Sequence, residues 1–234
     1  ALRSLTVEAQ WLSGSLPPTL SRLSSFKLGM NNLQGTIPPL GLNISSFRAE
    51  VNSLVGSIPP ELWQNSHLMA LNVEGNRLSG TMPPSSALKS LKYFMIGRNA
   101  FSGTIAPSLI RGLPQLVRFE VNGQDPHQGM RPDMQLSGTI PAELFQLSQL
   151  SDTLRLNHLR LSGTIPSQLS QITTLVNFQT NSLSGTIPQL AALTNVTHFF
   201  FDGNALSGTL PDGLGEMSLL RAVNFGANRL SGTL

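Results

Sequence analysis

The sequence predicts an α/β solenoid of about ten repeats that make one continuous domain over residues 1–234. A phrase close to Leu-Ser-Gly-Thr-Ile-Pro recurs along the chain, with its central glycines 21 to 25 residues apart except for one step of 35 residues. The apolar residues before each phrase also recur in a fixed order. A period of this length is typical of stacked repeats that bury a shared core. The central glycines are Gly14, Gly35, Gly56, Gly80, Gly103, Gly138, Gly163, Gly185, Gly208 and Gly232.

The first element of each repeat is a short strand. Apolar residues alternate with polar ones at Leu71 and Val73, which is the period of a strand with one buried side. Such a strand cannot cover its own apolar side. We therefore expect successive repeats to stack about 4.8 Å apart as a continuous parallel sheet.

The second element is a sharp turn where the chain leaves the sheet. Most repeats carry an asparagine here, whose amide satisfies buried backbone groups. Gln10 and Leu159 take this position in two repeats, and an insertion disrupts it in the sixth, so we expect strain or mobility at these three turns. The asparagines are Asn31, Asn52, Asn76, Asn99, Asn181, Asn204 and Asn228.

The third element is a second, shorter strand on the flank of the solenoid. Leucine, glycine and isoleucine alternate inward after the asparagine, and the glycine permits close approach of the backbone. Proline then ends the strand because it has no amide hydrogen. Serine or threonine follows every central glycine, which predicts a rank of hydroxyl groups along the flank. Its threonines include Thr81, Thr104, Thr139, Thr164, Thr186 and Thr209.

These residues resemble the plant-type extracellular leucine-rich repeat, with the pattern LxxLxxLxLxxNxLxGxIPxx, over nearly the whole chain. The resemblance implies a right-handed superhelix with the parallel sheet on its concave face and 3₁₀ segments or turns on its convex face. It also implies a ligand or co-receptor and an extracellular or cell-surface location. Arrays of this type usually carry caps with paired cysteines. This chain has no cysteine and opens and stops within a repeat, so we expect a fragment of a longer chain.

The candidate binding site consists of the side chains that alternate with the buried residues on the concave sheet. Their chemistry changes from repeat to repeat, and acids lie beside Lys27 and Arg48 in the first repeats, where charges on neighbouring strands can pair. An ordinary solvated sheet is the alternative interpretation. The candidate ligand-binding residues are Lys27, Arg48, Glu50, Asn72, Glu74, Met95, Glu120, Arg155, Asn157, Asn177, His198, Phe200 and Asp202.

Ten extra residues interrupt the sixth repeat. Residues 122–133 are rich in turn-forming residues, which predicts a loop at the edge of the sheet. Such a loop either contacts a partner or is an insertion without a role, because both concentrate at these places.

Two sequons for N-glycosylation begin at Asn43 and Asn195. Both asparagines lie 13 residues before the central glycine of their repeat, so they share one face. We predict glycosylation at both, which excludes that face as the binding surface.

We expect a non-catalytic recognition or assembly module that binds a protein, a peptide or a glycan on its concave sheet, with no cofactor and no metal. Identical chains in an assembly are a further class of partner. The alternatives use the hydroxyl rank: a structural surface or filament component, or an ice-binding protein. Serine also precedes the central glycine in eight of the ten repeats. Hydroxyls therefore lie two residues apart on a strand and, repeated from strand to strand, form a lattice of roughly 6.7 by 4.8 Å that could order water.

Other classes of function find little support in the composition. The net charge is only +3 and the basic residues are scattered, which argues against nucleic-acid binding. No stretch approaches about 18 apolar residues, so we expect no membrane insertion within the chain. The histidines lie in different repeats with no nucleophile motif or carboxylate pair, so we do not expect an enzyme. They are His67, His127, His158 and His198.

Overall fold

The computed structural model describes residues 2–84, 87–124, 134–171, 175–190, 193 and 195–233. Within these residues, short strands form two parallel sheets of ten strands each, numbered β1 to β20 in chain order. We call the sheet of odd-numbered strands the concave sheet and that of even-numbered strands the flank sheet. The concave strands are β1 (Ser4–Thr6), β3 (Ser25–Lys27), β5 (Ser46–Arg48), β7 (Ala70–Asn72), β9 (Tyr93–Met95), β11 (Arg118–Glu120), β13 (Thr153–Arg155), β15 (Leu175–Asn177), β17 (His198–Phe200) and β19 (Ala222–Asn224). The flank strands are β2 (Ser13–Ser15), β4 (Asn32–Thr36), β6 (Ser53–Gly56), β8 (Arg77–Thr81), β10 (Ala100–Thr104), β12 (Gln135–Thr139), β14 (Arg160–Thr164), β16 (Ser182–Thr186), β18 (Ala205–Gly208) and β20 (Arg229–Leu230).

The middle residue of most concave strands is buried and pairs in register with the middle residues of the neighbouring strands. Phe47, for example, is opposite Phe26 on one side and Leu71 on the other. Aromatic rings continue this packing, since Phe94 and Phe119 stack with their centroids 5.3 Å apart. The predicted parallel sheet over a shared apolar core is therefore confirmed.

Short helical segments connect each flank strand to the next concave strand in several repeats. They are α1 (Pro60–Trp63), α2 (Pro107–Arg111) and the 3₁₀ helices Pro18–Arg22, Ala142–Gln146, Ser167–Gln171 and Leu214–Glu216. Proline starts both α-helices at a position where a missing amide hydrogen costs nothing. Leu62 and Leu109 point from them into the core. None of the described helices is long and apolar enough to cross a membrane.

The asparagine positions tie each repeat to the one before it. Asn99 is fully buried, and its Nδ2 donates hydrogen bonds to the carbonyls of Val73 (2.9 Å) and Ile96 (2.9 Å). Its Oδ1 accepts a hydrogen bond from the backbone N–H of Leu78 at 2.9 Å. The predicted role of the asparagines in satisfying buried backbone groups is confirmed, and it extends across two neighbouring repeats.

Three repeats lack this asparagine. Gln10 donates only to the carbonyl of Glu8, at 3.2 Å. Buried Met134 fills the position in the sixth repeat and buried Leu159 in the seventh. The expected strain or mobility at these turns stays a prediction. Within the predicted loop, residues 125–133 lie outside the described residues; Gly123 is described and donates its N–H to the carbonyl of Asn157 at 2.8 Å.

Candidate functional site

The concave sheet presents most of the predicted ligand-binding residues to solvent. Lys27 and Arg155 are exposed. A larger group is half-buried, so each of these side chains packs against its neighbours and is also accessible to a ligand. These residues are Arg48, Glu50, Asn72, Glu74, Asn157, Asn177, His198, Phe200 and Asp202.

Two of the predicted residues differ from the expectation that they lie open on the surface. Met95 is only 8% exposed and Glu120 only 4%. Met95 lies between Asn72 and Glu120 in the register of the sheet. Glu120 lies near Arg118 of its own strand and Arg155 of the next strand. Both residues are therefore parts of the packed face rather than accessible contacts.

An ion-pair network surrounds Glu120. Its carboxylate lies 3.6 Å from the Arg155 guanidinium and 4.0 Å from that of Arg118. Arg118 also pairs with Asp152 at 2.6 Å. Burial raises the pKa of Glu120, and the nearby Arg155 opposes that rise. Arg118, the first residue of its strand, was not among the predicted site residues. The same two-residue alternation that selected Glu120 also points Arg118 outward.

The second to sixth repeats form a groove along the edge of the concave sheet. It has a volume of about 390 Å³ and is lined by Met30, Glu50, Val51, Glu74, Arg98 and Gln124. We call it the Glu50 groove. Glu74 pairs with Arg98 at 3.6 Å. Glu50 has one carboxylate oxygen, Oε2, that is buried without a hydrogen-bond partner.

Several causes act on the pKa of Glu50. Burial is the largest and raises the pKa, while a hydrogen bond from the backbone N–H of Glu50 lowers it. The carboxylates of Glu8 and Glu74 raise it further, and Arg48 lowers it. The carboxyl group therefore ionises at a higher pH than an ordinary glutamate.

The C-terminal repeats carry an aromatic pair. The rings of His198 and Phe200 lie 5.8 Å apart, and His198 Nδ1 is 2.8 Å from Thr197 Oγ1. One strand earlier, Asn177 donates to Gln179 Oε1 at 3.0 Å. The structure thus divides the predicted site into three clusters: the Glu50 groove, the Glu120 ion-pair network and this aromatic pair.

The flank sheet exposes the predicted hydroxyl rank, with Thr139, Thr164 and Thr186 all open to solvent. They line a shallow depression of about 640 Å³. The methyl group of Thr139 packs against Gly163 of the next repeat, since a Cβ atom built on that glycine would lie 3.0 Å from Thr139 Cγ2. This contact repeats along the flank and gives the threonines the same surroundings. Thr81, Thr104 and Thr209 are exposed as well.

Both sequon asparagines are exposed, and the residue after each is fully buried. Asn43 precedes Ile44, and Asn195 precedes Val196. The two sites are therefore reachable at equivalent positions, and their glycosylation stays a prediction. In the described part of the chain, no group of three histidine, cysteine, aspartate or glutamate side chains is placed to hold a metal ion.

No family model matches the chain. The receptor-like kinase TMK2 of Arabidopsis thaliana is 29% identical over 154 residues, which cover 63% of this chain and 16% of the kinase. The plant peptide hormone receptor RGFR1, solved in complex with RGF2, is 29% identical with a TM-score of 0.87. That match covers 98% of this chain and 36% of the receptor chain.

A second solved structure is the ectodomain of the membrane receptor kinase GASSHO1/SCHENGEN3 from Arabidopsis thaliana, in complex with CASPARIAN STRIP INTEGRITY FACTOR 2. It is 28% identical with a TM-score of 0.83, covering 98% of this chain and 27% of the other. The predicted extracellular or cell-surface location is confirmed by these relatives. The chain spans about a third or less of their length. A plant ice-binding protein is also similar in fold, with 23% identity, a TM-score of 0.76 and coverage of 99% of this chain and 74% of the other.

Proposed function

We propose that this chain, a leucine-rich-repeat solenoid of the plant extracellular type, is a non-catalytic recognition module that binds a protein or peptide on its concave sheet. The observation that carries the proposal is the contrast between the two sides of that sheet. The inward residues are almost all buried and apolar, whereas the outward ones change in charge and polarity from repeat to repeat. Varied surface chemistry on a constant scaffold favours specific recognition.

Binding on this surface needs little reorganisation. Most of the outward side chains are half-buried, and several are held by neighbours, such as Arg118 by Asp152 and Asn177 by Gln179. Rigid, already ordered side chains lose little conformational entropy when a partner docks. The aromatic pair of His198 and Phe200 supplies an anchor of the kind that dominates many interfaces.

The relatives support a peptide or protein as the partner. RGFR1 and GASSHO1/SCHENGEN3 were each solved with a named ligand bound, and both align with nearly all of this chain. A glycan and a second identical chain are alternative partners, and cross-links only between identical chains would indicate the latter.

Cross-linking mass spectrometry on the native full-length protein from its source tests the proposal. We expect cross-links from the concave sheet to another protein. The variants Arg155→Ala and Phe200→Ala should weaken binding of the captured partner by about tenfold each, while the flank variant Thr209→Ala serves as control. Cross-links confined to the flank, or unchanged affinity in both concave variants, would contradict the proposal.

The flank sheet supports a second candidate function. Its threonines are exposed and their methyl groups pack on successive glycines, which gives a regular surface for ice or for packing between identical rods. The triple variant Thr139→Lys, Thr164→Lys and Thr186→Lys should abolish inhibition of ice recrystallisation if the flank binds ice. Retained inhibition in this variant, or no inhibition by the wild type, would exclude ice binding. Sedimentation of the wild type and of the variant tests whether identical rods pack through the flank.

A further inference from the structure

An apolar row borders the Glu50 groove. Trp11, Met30 and Val51 are 89%, 59% and 45% exposed, and all three line a second depression of about 350 Å³ that shares Met30 and Val51 with the groove. We call these three residues the apolar rim. Val51 adopts a φ of 53°, a left-handed conformation that a β-branched residue rarely takes. The equivalent turn residues of other repeats, such as Met30 and Arg98, adopt the same conformation, so the repeat turn places Met30 and Val51 in one row at the edge of the sheet.

The carboxylate of Glu50 lies beside this rim without a cation of its own. Among the described residues, no ion pair includes Glu50, and its Oε2 is buried with no hydrogen-bond partner. Glu8 and Glu74 flank it along the same outward column. Their two carboxylates oppose one cation, Arg48, at this position, and the effect of Glu8 alone exceeds that of Arg48. The field of the neighbouring side chains at Glu50 is therefore negative and attracts a cation.

A second buried acceptor continues the same column. Asn122 is 6% exposed, and its Oδ1 has no hydrogen-bond partner. This oxygen leans over Gly97, where a Cβ atom would lie 2.6 Å away, and Gly97 stands in register between Glu74 and Asn122. Buried polar atoms without hydrogen-bond partners are rare and cost free energy. Glu50 Oε2 and Asn122 Oδ1 are therefore two acceptors in this column that a ligand with N–H donors would satisfy.

We propose that the Glu50 groove binds an arginine or lysine side chain of a peptide, with the neighbouring apolar residue of that peptide on the apolar rim. This inference rests on the proposed function and specifies the chemistry of its ligand. The cation supplies the opposite charge and an N–H donor for Oε2, the carboxylate oxygen of Glu50 that has no hydrogen-bond partner, in a site where burial strengthens the ion pair. The rim supplies apolar contact beside it, since long basic side chains and their neighbours pack along apolar surface.

Two synthetic peptides test the inference on the full chain: acetyl-Leu-Arg-Leu amide, and the same peptide with citrulline in place of arginine. Citrulline keeps the shape of arginine and removes its charge. Affinity is measured by ¹H–¹⁵N NMR titration, with Trp11 fluorescence as a second readout. We expect the arginine peptide to bind about tenfold more tightly, because a hydrogen bond to a charged group contributes more than a neutral one.

Three variants separate the two halves of the site. Glu50→Gln should weaken binding of the arginine peptide about tenfold and leave the citrulline peptide unchanged. Val51→Gly relieves the left-handed strain, so it should fold, yet it should weaken both peptides by a similar factor. Asp212→Asn, which changes an exposed carboxylate outside the concave sheet, should change neither.

Equal affinity of the two peptides, no binding of either at millimolar concentration, or an unaltered arginine peptide in Glu50→Gln would overturn the inference. The proposed function fails by a different result, namely the absence of cross-links from any part of the concave sheet. A partner cross-linked near Phe200, together with no preference for the arginine peptide, would retain the function and reject this ligand.

Discussion

The methyl group of Thr164 packs against Gly185 in the next repeat, so closely that a Cβ atom built on Gly185 would lie 2.9 Å from Thr164 Cγ2. Gly185 also has a φ of 78°, which L-residues with a side chain rarely adopt. The glycine is therefore required by its own backbone conformation and by the threonine of the neighbouring repeat. One contact thus couples the flank strands and fixes the surroundings of the threonine.

Gly185→Ala should lower the free energy of unfolding by about 1 to 3 kcal/mol, because it adds both a left-handed strain and a close contact. Urea denaturation measures this change. The double variant Gly185→Ala with Thr164→Ser removes the methyl group and should recover part of the loss. Gly215→Ala is the matched control, since nothing lies within 4 Å of a Cβ atom at that position and its φ is not left-handed. A loss in the control as large as that in Gly185→Ala would contradict this explanation.

Much of this architecture could be predicted from the sequence, because a repeat displays the same physical constraint many times. The two-residue alternation around Leu71 predicts the strand, and Asn76 predicts the turn that follows it, at the positions where the structure has them. A close approach of the backbone was predicted at the central glycines, but at Gly185 the group that approaches is the Thr164 methyl. Its left-handed backbone was not predicted, since the sequence pattern alone does not distinguish a glycine needed for space from one needed for φ.

The candidate site was less predictable. Alternation identifies which side of the sheet a residue faces, and it does so correctly for Arg155 and Phe200. It does not reveal how neighbours bury one another, so the burial of Glu120 and Met95 could not be foreseen. The apolar rim was missed because its residues lie outside the strand pattern, two of them, Met30 and Val51, at left-handed turn positions. The available signal was Met30, an apolar residue at an otherwise polar edge.

The asparagine turns make a second prediction. Asn99→Ala leaves the carbonyls of Val73 and Ile96 and the N–H of Leu78 without their side-chain partner. Buried groups left unpaired cost free energy, so we expect a loss of about 3 kcal/mol in the free energy of unfolding. Chemical denaturation checks the value. Asn43→Ala, at an exposed turn position, is the control. An equal loss of stability in both variants would contradict a stabilising role for the hydrogen bonds of Asn99.

Glycosylation makes a third prediction. Expression in plant cells should give a protein whose mass falls on enzymatic removal of N-glycans, and Asn43→Gln and Asn195→Gln should each remove one glycan. Both asparagines are exposed beside buried residues, so their glycans should project into solvent without disturbing the core. Concave-sheet binding should persist in both variants. An unmodified mass in the wild type would show that these sequons are unused.

The raised pKa of Glu50 makes a fourth prediction, about stability and pH. An ordinary glutamate has a value near 4.5, and burial in the folded state raises the pKa of Glu50 above it. Between these two pKa values the folded chain binds more protons than the unfolded chain, so the free energy of unfolding falls as pH rises. The stabilising contribution is complete below about pH 4.5 and is lost as pH increases through the folded pKa.

Glu50→Gln removes this dependence because glutamine does not ionise. Between pH 4.5 and neutral pH, the wild type should lose stability relative to Glu50→Gln, measured as the difference between their urea unfolding free energies at each pH. Glu120→Gln should show the same sign, since burial also raises the pKa of Glu120. Exposed Glu216, changed to glutamine, is the control. If the wild type instead gained stability over this range relative to Glu50→Gln, the Glu50 carboxylate would have to be favourably solvated or paired in the folded state, and its attraction for an incoming cation would disappear with it.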